Sequence, residues 1–243
     1  MNIDKVLIID FGSQVTKLIA RRVRELGVYS EILNINHLKN IKNLESVKGI
    51  ILSGGPASVT QKKYPKISKE IFLKKIPILG ICYGLQLISK SFGGKVKNNK
   101  KKREFGRAKL FEKKKSVLTK NFFDKKITNV WMSHQDAVTN LPKGFNKIAS
   151  TKNSALTIIE NKNLNIYGIQ FHPEITHTQN GKILFYNFLY HICKIKKKWK
   201  IGSQKKRLID LIKKKVKGNK VICALSGGVD SSVSALLINK AIK

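Results

Sequence analysis

One cysteine of the chain stands where it could act as a nucleophile. Cys82 is the centre of the pattern GICYG at 80–84, between an apolar run at 77–81 and a segment of helical character at 84–91. The flanking glycines permit the strained strand-to-helix turn of a nucleophile elbow, which lifts a side chain above a sheet. The N-terminus of the following helix favours thiolate, the attacking form of cysteine. The alternative is a small buried residue in an ordinary turn.

A histidine and a glutamate in the pattern QFHPE at 170–174 could complete such a site. Pro173 keeps His172 out of helical geometry, and residues two apart in an extended chain point to the same side. We therefore expect Glu174 to orient the imidazole of His172 and to stabilise its protonated form, while the imidazole deprotonates the thiol of Cys82. The alternative is a loop histidine followed by a solvated acid.

Acyl transfer to a thiol also needs hydrogen-bond donors for the oxyanion. One expected donor is the backbone N–H of Tyr83, the residue after the nucleophile. The second is expected from a loop at the carboxyl edge of the sheet, and we assign it to Gly55 in the Gly-Gly-Pro turn at 54–56. A plain turn is the alternative for this segment.

Strands that alternate with helices surround these residues. Apolar runs at 6–9, 49–52 and 77–81 predict buried strands, and helical spacing at 14–26 predicts a helix between the first two. The pattern predicts an α/β fold with a mostly parallel central sheet and helices on both faces. Further strands, some antiparallel, are predicted at 106–111, 129–132, 155–159 and 165–170, and a closing helix at 179–193.

A second glycine-rich motif follows a basic linker at 194–203. A helix at 204–216 and a strand at 221–225 are predicted before the pattern SGGVDSS, and another helix starts after it. Backbone N–H groups of a glycine-rich turn before a helix cradle phosphate oxygens, and serine hydroxyls add donors. The predicted domains are 1–193 and the start of a second α/β domain at 204–243. The predicted phosphate-binding residues, which a family resemblance described below assigns to ATP binding, are Ser226, Gly227, Gly228, Val229, Asp230, Ser231 and Ser232.

Composition narrows the function classes. The 243 residues include 49 Lys and Arg against 14 Asp and Glu, which gives a net charge of +35. Lysine dominates this set without aromatic interleaving, so we interpret the charge as compositional drift rather than specific nucleic-acid binding, with weak non-specific RNA binding as its consequence. The absence of a long apolar run excludes a membrane span. Cys82, Cys193 and Cys223 form no CxxC pair, which favours a reduced cytoplasm.

Together the elbow, the His-Pro-Glu pattern and the Gly-Gly-Pro turn resemble the class I (triad) glutamine amidotransferases over about residues 5–193. The resemblance implies that Cys82 attacks the side-chain amide of glutamine, with His172 as base and then acid. A γ-glutamyl thioester forms, ammonia leaves, and water releases glutamate. Gln86, one helical turn past the cysteine, is implied to help bind glutamine, and no metal is expected in this half.

The SGGVDSS motif resembles the pyrophosphate-binding loop of N-type ATP pyrophosphatases. Combined with a triad amidotransferase, it resembles the GMP synthetase family, as do DFGSQ at 10–14, RRVRELGVY at 21–29, REFG at 103–106, VWMSH at 130–134 and QFHPEITHT at 170–178. The resemblance implies that ATP and Mg²⁺, with Asp230 near the metal, adenylate XMP, and that ammonia displaces AMP to give GMP. It also implies a homodimer for the complete enzyme.

The sequence carries only the first residues of that second domain. We therefore expect this chain to hydrolyse glutamine and not to form GMP by itself. Two alternatives stay open: a stand-alone glutaminase or other cysteine hydrolase of the same fold, and a non-enzymatic basic protein that binds nucleic acid.

Overall fold

A computed structural model of the chain describes residues 3–35, 44–98, 103–196, 199 and 201–242. The chain divides into two units, Met1–Lys197 and Lys198–Lys243. The strands of the first unit are β1 Lys5–Asp10, β2 Tyr29–Asn34, β3 Val47–Leu52, β4 Ile78–Ile81, β5 Lys95–Asn98, β6 Glu104–Glu112, β7 Ile127–His134, β8 Asp136–Asn140, β9 Asn146–Ser150, β10 Ile158–Asn161 and β11 Ile166–Ile169. Its helices are α1 Thr16–Glu25, α2 Glu70–Leu73, α3 Tyr83–Ser91 and α4 Gly181–Tyr186, which continues as a π-helical segment over Asn187–Ile192.

A nine-stranded sheet with the order β2-β1-β3-β4-β11-β10-β9-β6-β7 forms the centre of this unit. The strands from β2 to β11 are parallel to one another. From β11 onward, each strand pairs antiparallel with the next, in the order β11, β10, β9, β6 and β7. A separate antiparallel pair is formed by β5 and β8. The predicted α/β fold with a large parallel sheet is thus confirmed, and the later strands form its antiparallel half.

Both faces of the sheet are covered by helices. Side chains alternate along a strand, and Val6 and Ile8 of β1 therefore join one apolar cluster while Leu7 and Ile9 join the other. Helices α1 and α4 pack on the first face, and α2 and α3 pack on the second. Each fully buried Ile or Leu contributes roughly 1.5–3 kcal/mol to folding. This burial holds β4 and α3, and hence the turn between them, in a fixed place.

The second unit contains helices α5 Ile201–Val216 and α6 Val229–Ile242, which pack against each other. The predicted strand at 221–225 was wrong: these residues are exposed and form no strand. A strand needs a neighbour to take its backbone hydrogen bonds, and the described part of this unit offers two helices and no partner strand. Across the described residues, no helix has the length and apolar character to cross a membrane.

Candidate active site

The turn between β4 and α3 is a strained elbow centred on Cys82. The residue has φ 51° and ψ −103°, a conformation that costs a non-glycine residue about 1–3 kcal/mol. The glycines on either side allow close backbone packing. A Cβ on Gly80 would lie 2.5 Å from the backbone carbon of Gly84, and a Cβ on Gly84 would lie 2.4 Å from the carbonyl oxygen of Leu52. Neither position has room for any other residue.

Backbone hydrogen bonds fix the elbow to the next strand and to its own helix. The N–H of Cys82 donates to the carbonyl of Ile169 at 2.8 Å, and the N–H of Gln86 donates to the carbonyl of Cys82 at 3.2 Å. Tyr83 is the first residue of α3, and the first N–H groups of a helix have no acceptor within it. The N–H of Tyr83 is therefore left for a ligand beside the thiol.

A histidine and a carboxylate lie behind the thiol. His172 Nδ1 is 2.8 Å from Glu174 Oε1, and both side chains are buried. A carboxylate oxygen only accepts, so Nδ1 donates and Nε2 remains for the sulfur of Cys82. The backbone N–H of His172 donates to the carbonyl of Trp131 at 3.0 Å. The structure thus brings the predicted Cys82, His172 and Glu174 together as a triad, in which the imidazole lies between the thiol and the carboxylate.

Electrostatics favour a protonated His172. Burial by itself lowers the pKa of its imidazole, because it disfavours the charged form. The hydrogen bonds to Cys82 and Glu174, together with their negative charges, outweigh burial and raise the pKa of His172 to about 10. An imidazolium is therefore the stable partner of a negative charge on the sulfur of Cys82.

Two further groups contact the sulfur. Cys82 Sγ lies 3.7 Å from the carbonyl oxygen of Ser133 and 3.7 Å from Gln170 Nε2. Gln170 is fully buried, and its Oε1 has no partner among the described residues. Neither residue had been given a role by the sequence analysis. Ser133 lies in VWMSH at 130–134 and Gln170 lies in QFHPE at 170–174, but their contacts with Cys82 depend on strands that are distant in sequence.

A cavity of about 440 Å³ opens at the thiol. Four predicted site residues line it, namely Gly55, Cys82, Tyr83 and Gln86. The turn that precedes Pro56 runs beside the catalytic triad, since a Cβ on Gly54 would lie 3.3 Å from His172 Cε1 and 3.7 Å from Cys82 Cβ. The predicted oxyanion donors and the predicted glutamine-binding residue therefore share one cavity with the nucleophile.

Comparison with known proteins agrees with this arrangement. The sequence matches the family described as glutamine amidotransferase class-I over residues 7–192. The chain belongs to the class-I glutamine amidotransferase family. A glutamine amidotransferase from Thermotoga maritima has the same fold, with a TM-score of 0.63 and 21% identity, covering 99% of this chain and 90% of that one.

Among curated amidotransferase relatives, a glutamine-hydrolysing GMP synthase of Brachyspira hyodysenteriae is 51% identical over 99% of this chain and 46% of its own length. One of Aquifex aeolicus is 49% identical over 98% of this chain and 46% of its own length. The chain thus spans about half the length of these relatives. Residues 219–243 also match a family described as the tRNA methyl transferase HUP domain.

The cavity of this amidotransferase unit is also lined by polar residues to which the sequence assigns no role. The carboxylate of Asp136 accepts from Ser58 Oγ and, at 2.8 Å, from Asn98 Nδ2, while Gln86 Nε2 donates to the backbone carbonyl of Asp136 at 2.9 Å. The side chain of Gln86 is therefore already held by the protein. His134 lies in the same wall.

The predicted phosphate loop belongs to the second unit. Residues 226–228 are exposed ahead of α6, and residues 229–232 form its first turn, where all are exposed except Ser231, which is partly buried. Gly227 has φ 78°, and Ser231 Oγ donates to the carbonyl of Gly228 at 2.9 Å. Asp230 is in the first turn of α6. The described residues hold no cluster of three or more His, Cys, Asp or Glu able to bind a metal alone.

Proposed function

We propose that the first unit hydrolyses glutamine through a thioester on Cys82. The observation that carries this proposal is the triad of Cys82, His172 and Glu174. Glu174 accepts a hydrogen bond from His172 Nδ1, which leaves Nε2 for the sulfur of Cys82. Cys82 lines a cavity together with Gly55 and Tyr83, the two residues whose backbone N–H groups are the proposed oxyanion donors. Nucleophile, base, orienting acid and oxyanion site are the parts that acyl transfer requires.

In the first step the sulfur of Cys82 attacks the side-chain carbonyl carbon of glutamine. His172 holds the proton of the thiol at Nε2, so that the sulfur attacks as thiolate, and the backbone N–H groups of Tyr83 and Gly55 stabilise the oxyanion. His172 then gives its proton to the leaving nitrogen, the C–N bond breaks, and ammonia departs. Glu174 stabilises the imidazolium throughout and keeps Nδ1 protonated.

In the second step water resolves the thioester. The imidazole of His172 is neutral after it has given its proton to the leaving nitrogen, and its Nε2 takes a proton from the water as the water attacks the thioester carbonyl. The C–S bond breaks, glutamate leaves, and the proton returns to the sulfur of Cys82. Gln86, on the helix behind the elbow, shapes the part of the cavity that receives glutamine.

For the whole protein we propose glutamine-hydrolysing GMP synthase activity, a ligase function in purine nucleotide biosynthesis. The support is the 46–51% identity to GMP synthases, which extends over the phosphate loop as well as the amidotransferase unit. In this proposal the loop at 226–232 binds ATP, XMP is adenylated, and ammonia from the Cys82 site displaces AMP. The complete enzyme is proposed to be a homodimer without a specific nucleic-acid partner.

The loop residues fit a nucleotide with Mg²⁺. Mg²⁺ is usually held by one or two carboxylates together with substrate phosphates. Asp230, in the first turn of α6, would supply one carboxylate, and the hydroxyls of Ser226 and Ser231, which lie 3.1 Å apart, would donate to the phosphates. The ion would neutralise phosphate charge there.

The three cysteines are free thiols, which supports the proposed location in a reducing cytoplasm.

Covalent labelling tests the glutaminase proposal. A diazoketone analogue of glutamine should alkylate Cys82, identified by the mass of its peptide, and glutamine should protect the thiol while asparagine should not. Cys223, which is exposed, is the internal control and should show no selective protection. Labelling of Cys223 but not Cys82, or equal protection by the two amino acids, would contradict the proposal.

A further inference from the structure

A second buried pair of histidine and carboxylate, Glu104 and His134, includes a residue that lines the cavity at Cys82. Glu104 on β6 and His134 on β7 are register partners in the antiparallel ladder. His134 Nε2 is 3.1 Å from Glu104 Oε2, and both residues are less than 10% exposed. Thr151 Oγ1 donates to the other carboxylate oxygen of Glu104 at 2.8 Å. The proposed reaction uses neither Glu104 nor His134.

Both ring nitrogens of His134 face acceptors. Nε2 faces the carboxylate of Glu104, and Nδ1 lies 3.1 Å from the backbone carbonyl of Asp136. A carbonyl oxygen cannot donate, so Nδ1 carries a proton. A further proton must then lie between Nε2 and Glu104, on one group or the other. The ring is thus locked in one orientation, with Nδ1–H directed at Asp136.

The segment from Ser133 to Asp136 joins several walls of the cavity. The carbonyl of Ser133 contacts Cys82 Sγ, and the carbonyl of Asp136 accepts from both His134 Nδ1 and Gln86 Nε2. The carboxylate of Asp136 binds Ser58, which lies in the same loop as Gly55, and Asn98 of β5. A shift of this segment would therefore displace the contacts of the thiol, the helix and the loop together.

Strand β7 also reaches the base. The carbonyl of Trp131 accepts the backbone N–H of His172, and two residues later the carbonyl of Ser133 contacts the thiol of Cys82. Carbonyls two residues apart on a strand face the same neighbour. The carboxyl end of β7 thus spaces the nucleophile and the base, and it ends at His134.

We propose that Glu104 and His134 are a positioning pair that fixes the 133–136 segment and thereby aligns Cys82 with the glutamine cavity. The inference rests on the proposed glutaminase function. Glu104 orients the ring, and the Nδ1–H bond to Asp136 transmits that orientation to the cavity wall. Neither side chain touches the reacting atoms in this proposal.

Three substitutions of His134 separate the two hydrogen bonds. His134→Asn keeps a donor near the position of Nδ1, His134→Gln keeps one near Nε2, and His134→Leu keeps neither. If His134 only fills space, the three variants should lose stability to a similar extent, which is measured as the fall in melting temperature. The positioning role predicts that Asn stays within about threefold of the parent in KM for glutamine and in the iodoacetamide alkylation rate of Cys82, whereas Gln and Leu worsen both about tenfold.

The controls use the same 243-residue chain. His191→Gln, at an exposed position, should change neither quantity. If His134→Leu does not fold, Glu104→Gln is compared with Glu112→Gln at the other end of β6; only the former should raise KM and slow alkylation. Parent-like values for His134→Gln or Glu104→Gln, or equal losses for Asn and Leu, would overturn the inference. A parent chain that releases no glutamate while the alkylation order holds would reject the proposed function alone.

Discussion

The backbone N–H of Cys82 donates to the carbonyl of Ile169 at 2.8 Å, three residues before His172. Strands β4 and β11 are adjacent and parallel, and Ile81 is the register partner of Ile169. The proposed nucleophile and base therefore follow the ends of neighbouring strands. Their separation is set by the spacing of the sheet, about 4.8 Å between strands, rather than by loop conformation.

The titration of His172 should depend on Glu174. Its pKa is raised from 6.5 to about 10 in the folded chain, and Glu174→Gln removes one hydrogen bond to a charged acceptor and one negative charge. We expect NMR titration to show a lower His172 pKa in this variant. Glu160→Gln, another fully buried glutamate, should leave the titration of His172 unchanged, and an equal shift in both variants would refute the assignment.

The same pKa gives a pH dependence of stability. A group whose pKa is higher in the folded state stabilises the fold below its unfolded pKa, here 6.5, and loses that contribution as pH rises through about 10. The free energy of unfolding lost in Glu174→Gln should therefore be largest below pH 6.5 and shrink toward pH 10. Urea denaturation across this range measures it; a difference that grows with pH would contradict the sign.

The elbow strain predicts an unusual ranking at position 82. Both Cys82→Ala and Cys82→Gly should abolish glutamate release, because both remove the sulfur. Glycine tolerates the positive φ, so Cys82→Gly should be more stable than Cys82→Ala by about 1–3 kcal/mol. Denaturation curves provide the comparison, with Cys223→Ala as the active control. Full turnover by a folded Ala variant, or a less stable Gly variant, would contradict the geometry.

The close approach behind the elbow predicts a steric limit at Gly84. A methyl group there would meet the backbone of Leu52 at 2.4 Å, whereas one on Gly202 would meet nothing within 4 Å. Gly84→Ala should lower the free energy of unfolding by about 3 kcal/mol or prevent folding. Gly202→Ala, in helix α5, should be neutral or stabilising by under about 1 kcal/mol. Comparable stabilities for the two variants would show that β3 and α3 pack more loosely.

The net charge of +35 predicts weak, sequence-independent RNA binding. Affinity should fall steeply as salt rises, because lysine contacts to phosphate release counterions. Fluorescence anisotropy with two unrelated RNA oligonucleotides of equal length measures this. Unequal affinities that persist at about 0.2 M salt would favour the alternative of dedicated nucleic-acid recognition.

Much of the site was predictable because it is local. The elbow and the His-Pro-Glu pattern each lie within five residues, so residue types alone indicated their geometry. The parallel strands β1, β3 and β4 were equally clear, because a strand buried on both faces is an uninterrupted apolar run. Helix α3 follows directly from the glycine-flanked turn.

The residues that sequence reasoning did not assign depend on non-local pairing. Glu104 meets His134 through the β6–β7 ladder, and Gln170 meets Cys82 through the β4–β11 ladder. A register of this kind is not visible in either segment alone. Strand β2 was not predicted, because one of its faces is partly exposed and its apolar pattern is therefore weak. The wrong prediction of a strand at 221–225 has a related cause, because an apolar run forms a strand only where a partner strand exists.

The position of β11 has a consequence for how the unit is made. Among the described residues of the first unit it is the last strand in sequence order, yet it lies between β4 and β10 near the middle of the sheet. Until residues 166–169 are synthesised and inserted, both neighbouring strands present open edges, which favour slow folding and intermolecular pairing. His172 arrives with the same insertion. A nascent chain thus gains the histidine partner of its thiol only with the strand that fills the middle of its sheet, so assembly of the site is coupled to assembly of the sheet.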